Sequence, residues 1–83
     1  MTHTLLERTP SDEHSELVVL TLLLGEPAMR FWSMHELARE LSDESRTADA
    51  VASLCAAGLA HRCEEFVFAT RAAVRFNRLL GGI

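Results

Sequence analysis

Apolar positions change their period along this chain, and each change marks an element. Thr9-Pro10 offers a capping hydroxyl and then a proline at the first helical position, with Asp12 and Glu13 near the positive dipole end. A helix is therefore predicted from Pro10 to Leu24, stopped by Gly25, with Pro27 preventing its resumption. Its second half, Leu17 to Leu24, is apolar nearly all round, so a single packed face does not cover it. The second cover is expected to be a partner subunit, reached through Leu17, Leu20 and Leu24. Met1 to Arg8 has no apolar period and reads as a flexible arm ahead of one domain over residues 9–83.

Arg30-Phe31-Trp32 is long enough for one edge strand. Ser33-Met34-His35-Glu36 is a capping box, in which hydroxyl and carboxylate each satisfy an orphan backbone donor. The helix it starts carries Leu37, Ala38 and Leu41 on one face and should end near Leu41. Ser42-Asp43-Glu44-Ser45 is a polar turn in which either serine can cap the next helix. That third helix is predicted to reach Ala57, with Thr47, Val51, Leu54 and Gly58 along its buried side. Gly58 suits a left-handed helix end. Leu59–Cys63 and Phe66–Ala69 then form a hairpin around Glu64-Glu65. Alternation in Phe66-Val67-Phe68 predicts a strand with one packed face, and Phe31, Trp32, Phe66 and Phe68 are assigned to the core. Thr70 caps a last helix to Leu80, with Ala73, Phe76 and Leu80 on one face and Arg71, Arg75 and Arg78 on another.

Size and charge narrow the function. Eighty-three residues make one small domain whose core is near the lower limit for independent stability, so self-association is expected, with Phe76 and Leu80 joining the leucines of the first helix. All eight basic residues are arginine, against twelve carboxylates, for a formal charge of −4, which disfavours indiscriminate polyanion binding. The imbalance is local: Arg8 faces five acids up to Glu26, whereas seven arginines balance seven acids from Pro27 onward. The three arginines of the last helix form a basic face that answers the acidic first helix, within or between subunits. The Leu17–Leu24 run is too short to span a bilayer, and acids stand where a signal peptide has its basic region. With two cysteines, that points to reduced thiols and a cytoplasmic location.

From Trp32 to Thr70 the sequence resembles winged helix-turn-helix transcription regulators of the broad MarR-type group. The likeness rests on Ser33-Met34-His35-Glu36-Leu37-Ala38-Arg39-Glu40-Leu41, on Val51, Leu54 and Ala57-Gly58-Leu59, and on Glu64-Glu65-Phe66-Val67-Phe68-Ala69-Thr70-Arg71-Ala72-Ala73. It implies a mainly helical fold with a small β wing, in the order helix, short strand, helix, helix, hairpin, helix. It also implies a homodimer that binds double-stranded DNA with the third helix in the major groove. On that plan Arg46, Thr47, Asp49, Ala50 and Ser53 occupy the exposed side of the third helix, with Ser45 at its start. Arg46 would meet guanine or phosphate, Thr47 and Ser53 a phosphate or base edge, and Ala50 a thymine methyl. Ser33 would present backbone amides to a phosphate, and Arg62 would hold another from the hairpin.

Glu64-Glu65 at the hairpin tip and Asp43, Glu44 and Asp49 around the third helix would repel phosphate. They motivate the alternative, a winged-helix adaptor whose acidic face addresses a protein. Cys55, His61 and Cys63 lack the spacing of a zinc motif, and no metal is expected. With no nucleophile–base pair, glycine-rich phosphate loop or paired-carboxylate motif, the chain is read as no enzyme and needing no cofactor.

Overall fold

The computed structural model describes residues 10–25 and 30–81. The predicted N-terminal arm, the Thr9 cap, Pro27 and Gly82 lie outside the described residues. The described elements run α1 (Pro10–Leu24), β1 (Trp32–Ser33), α2 (Met34–Leu41), α3 (Glu44–Ala56), β2 (Ala60–Cys63), β3 (Phe66–Ala69) and α4 (Arg71–Leu79). The strands form one antiparallel sheet in the order β1-β3-β2. The protein is thus mainly helical, with a small three-stranded sheet.

Local chemistry explains the boundaries. The Ser33 hydroxyl accepts from the Glu36 amide at 3.0 Å, and the Glu36 carboxylate accepts from the Ser33 amide at 2.9 Å. This closes the predicted capping box and starts α2. Ser42 ends α2 in the left-handed region, at φ 57°. It therefore cannot cap α3, and Ser45 lies within the first turn of that helix. The cap is Asp43, whose carboxylate accepts from the Arg46 amide at 2.8 Å. A carboxylate at that place also favours the positive dipole end. At the far end Gly58 turns left-handed at φ 80°, while the Leu59 amide reaches back to the Leu54 carbonyl at 2.9 Å. Gly58 itself is exposed, not on the buried side where helical spacing had put it.

The core forms where α1 and α3 cross over the inner face of the sheet. Val19, Leu23, Leu37 and Val67 are fully buried, and Val51 and Leu54 nearly so. α1 turns Val19 and Leu23 inward while Leu20, Leu22 and Leu24 pack at the core margin, so it is apolar on more than one side. Leu17 remains 60% exposed.

Cross-strand register sorts the sheet residues. Trp32 pairs with Val67 and Ala60 with Ala69, and these face the helices. Phe66 and Phe68 fall on the opposite face, where the Phe68 ring stacks on Phe31 at 4.8 Å. The assignment of Phe31, Phe66 and Phe68 to the core is therefore wrong: Phe31 and Phe66 are exposed, and only Trp32 packs against the core. Alternation fixes that one face packs, but not which one. The inward sheet positions Ala60, Val67 and Ala69 are the buried ones. On α4, Ala73 and Val74 point inward, so the proposed Ala73–Phe76–Leu80 face is split, with Phe76 and Leu80 left outside.

Leu23 has no exposed surface, so Leu23→Ala removes buried methyl groups from the junction of α1 with the rest. Chemical denaturation should register a loss of about 2–5 kcal/mol. A loss below about 1 kcal/mol would show that α1 is not part of the cooperative core.

Candidate functional site

The surface that the sequence singles out comprises the start of α2, the outward side of α3 and the β2–β3 hairpin. Helical spacing decides what α3 presents. Thr47, Ala50, Val51 and Leu54 point inward, and Thr47 has no exposed surface while Ala50 retains 3%. The placement of Thr47 and Ala50 on the exposed side is thus overturned. At the helical period Thr47 and Ala50 lie on the same arc as Val51 and Leu54, which faces the core. The Thr47 hydroxyl donates to the Asp43 carbonyl at 2.7 Å, which explains its burial without a ligand.

The outward side consists of Ser45, Ala48, Asp49, Ala52 and Ala56, all exposed, with Ser53 half-buried at its margin. Arg46 is exposed on the flank nearer α1, where it borders a crevice with His14 and Glu40. Its Nε lies 3.7 Å from the Asp43 carboxylate, a pair open to solvent on both sides. On β2, Arg62 is exposed and its Nε donates to the Glu64 carbonyl at 2.7 Å. That bond holds the guanidinium alongside the hairpin tip. Glu64 sits there at φ 57°, a left-handed conformation that disfavours a side chain, so the tip is a tight and slightly strained turn.

Ser33 is less available than expected. Its amide and hydroxyl are both engaged with Glu36, and the next amide, of Met34, donates to the Glu65 carbonyl at 2.7 Å. The donors a phosphate would use at the start of α2 are therefore mostly taken, which corrects the role given to Ser33. The Met34–Glu65 bond instead fastens the hairpin tip to α2.

Sequence reasoning missed a cleft of about 350 Å³ between the start of α2, the start of α3 and the hairpin. Glu44, Glu65 and His35 line it above the buried Thr47. It also missed Arg39, exposed on α2 one turn beyond His35, although the i, i+4 spacing of the two is visible in the sequence. Elsewhere Cys55 is half-buried and Cys63 exposed, and among the described residues no three His, Cys, Asp or Glu side chains converge on a metal position. No helix among the described residues is long and apolar enough to cross a membrane. Comparison with protein families, curated proteins and solved structures gives no match for this chain.

The Ser33 amide, and then the nearby Arg30 guanidinium at 3.3 Å, hold the Glu36 carboxyl below the ordinary value of 4.5. A carboxyl depressed on folding adds stability that is complete above its unfolded value and is lost as pH falls through the lower folded value. Glu36→Gln keeps the capping hydrogen bond but does not titrate. Melting temperatures should therefore fall less in this variant than in the parent between neutral pH and about pH 3. Parallel declines would show that the ionised carboxylate is not what secures this turn.

Proposed function

We propose that the protein is a winged helix-turn-helix transcription regulator that binds double-stranded DNA, with α2 and α3 as the helix-turn-helix and β2–β3 as the wing. What supports this reading is the open outward side of α3, flanked by exposed Arg46 and Arg62. Shape and flanking charge carry the reading, since α3 is unobstructed along its outward length.

The chemistry of contact follows from the residues that do face outward. Asp49 accepts a hydrogen bond from a cytosine amino group, and Ser45 and Ser53 reach a base edge or phosphate. Ala48 and Ala52 meet thymine methyls, a role that buried Ala50 cannot take. Arg39, Arg46 and Arg62 supply the phosphate contacts. Three cations per chain give a shallow salt dependence, with a log–log slope of roughly −3 per protomer.

A second reading is favoured by a specific observation: the side of α3 from Ser45 to Ala56 holds no basic residue, and the adjoining cleft carries Glu44 and Glu65. Such a surface suits a protein partner with basic or small apolar groups, which is the adaptor alternative.

Selection of bound duplexes from a random library separates the two. The DNA reading expects an enriched sequence whose affinity falls with salt. It also expects Arg46→Ala or Arg62→Ala to weaken binding on all sequences and to reduce the salt slope by about 1. Asp49→Ala should instead relax preference at a single base pair. Failure to enrich any duplex, or affinity indifferent to salt and to both arginines, would contradict DNA binding and leave the adaptor.

A further inference from the structure

We propose that the free edge of β2 docks an extended segment of another protein, which joins the sheet as a fourth strand and fills the groove between β2 and α3. Its main contacts are the backbone groups of an edge strand, so it depends neither on DNA contact nor on the acidic side of α3.

β2 borders β3 on one side only, because the sheet runs β1-β3-β2. Hairpin register decides where its backbone groups point. Cys63 and Phe66 flank the two-residue turn, and such flanking residues exchange both backbone bonds. Alternation then assigns the next bonded pairs to His61 with Phe68 and to Leu59 with Thr70. The Thr70 amide does donate to the Leu59 carbonyl, at 3.1 Å, which fixes this phase. Ala60 and Arg62 therefore turn their amides and carbonyls away from β3, and among the described residues no hydrogen bond takes them up. An added strand pairs with such outward donors and acceptors. β2 contains no proline, and its register with β3 runs without a bulge, so nothing in the strand itself bars a neighbour.

Side chains on both faces select the occupant. A groove of about 510 Å³ runs beside this edge, lined by Val51, Ala52 and Cys55 of α3 and by Ala60, His61 and Arg62 of β2. Val51 and Ala60 are buried and Cys55 is half-buried, so the groove takes apolar side chains. Ala52 is exposed and small, which lets a backbone approach α3. On the opposite face the His61 ring lies 5.6 Å from Phe68, which stacks on exposed Phe31. A strand beside β2 sends alternate side chains to these two faces, one apolar and the other aromatic. Charge adds a further requirement. The Arg62 Nε is drawn to the Glu64 carbonyl at 2.7 Å, yet among the described residues the guanidinium forms no ion pair. The occupant is thus an extended segment, apolar at successive positions, with an Asp or Glu placed near Arg62.

A displayed library of random peptides, selected on the full chain, supplies the probe, and amide exchange measured by NMR locates it. Selected peptides should be apolar at successive positions with one acid, and should slow exchange at Ala60 and Arg62 about tenfold or more. N-methylation of peptide amides should abolish binding in one phase of the alternation and spare it in the other. Ala52→Arg, at an exposed helix position, should keep native circular dichroism and weaken binding about tenfold or more. Arg62→Glu should shift the selected peptides from acidic to basic. The proposal is overturned if no peptide is enriched, if bound peptides leave exchange at Ala60 and Arg62 unchanged, or if Ala52→Arg has no effect. Peptides that bind at Ser45 and Asp49 instead would overturn it while supporting the acidic adaptor.

Discussion

Thr70 joins the parts of this fold that surround α3. Its hydroxyl donates to the Gly58 carbonyl at 2.9 Å and accepts from the Ala73 amide at 3.1 Å, while its own amide donates to the Leu59 carbonyl at 3.1 Å. One residue thereby closes the exit of α3, ends β3 and caps α4. Its burial, at 9% exposure, keeps water from competing for these bonds, which strengthens them and makes their loss costly. Gly58 complements it, because the left-handed turn there brings the carbonyl around to the Thr70 hydroxyl. The direction in which the hairpin leaves α3, and hence the surface the two share, follows from this junction.

The same surface shows why shape and charge give different weight to the functional alternatives. Packing of Thr47, Ala50, Val51 and Leu54 against the core forces Ser45, Ala48, Asp49 and Ala52 outward. These residues are small, which permits close approach, but they bring no cation of their own. The positive charge lies at the borders, on Arg46 and Arg62, each already tethered by a neighbouring acceptor. A duplex bound here would be held by few phosphate contacts, which makes doubling of the site by self-association more consequential than it is for a strongly basic domain. Net charge alone therefore does not decide between DNA and a protein partner.

Much of the fold was legible because its signals are local. The Ser33–Glu36 capping box, the Gly58 helix end, the Glu64-Glu65 turn and the Thr70 cap each depend on residues within a few positions of one another. What was not legible depends on which side another element occupies. Phe66 and Phe68 alternate as strand residues should, yet only the approach of α1 and α3 decides that Val67 and Ala69 are the inner ones. Asp43 displaced the serines as a cap because Ser42 had to turn left-handed to end α2. At the candidate site, Arg46, Asp49 and Arg62 stand exposed as anticipated, while Thr47 and Ala50 do not. Thr47 shares the helical period of Val51 and Leu54, which turns it inside. The capping box that takes the Ser33 and Glu36 amides is local and readable, but the Met34 amide is taken by the hairpin tip, more than thirty positions away in sequence.

Native-state hydrogen exchange on Thr70→Val tests the junction most directly, since valine keeps the shape and removes only the hydroxyl. If Thr70 couples the hairpin and α4 to the end of α3, exchange should accelerate about tenfold or more at Ala73 and also at His61 and Phe68 in the hairpin, with α2 unchanged. Acceleration confined to Ala73 and the first turn of α4 would show that Thr70 is an ordinary helix cap, and that something else directs the hairpin.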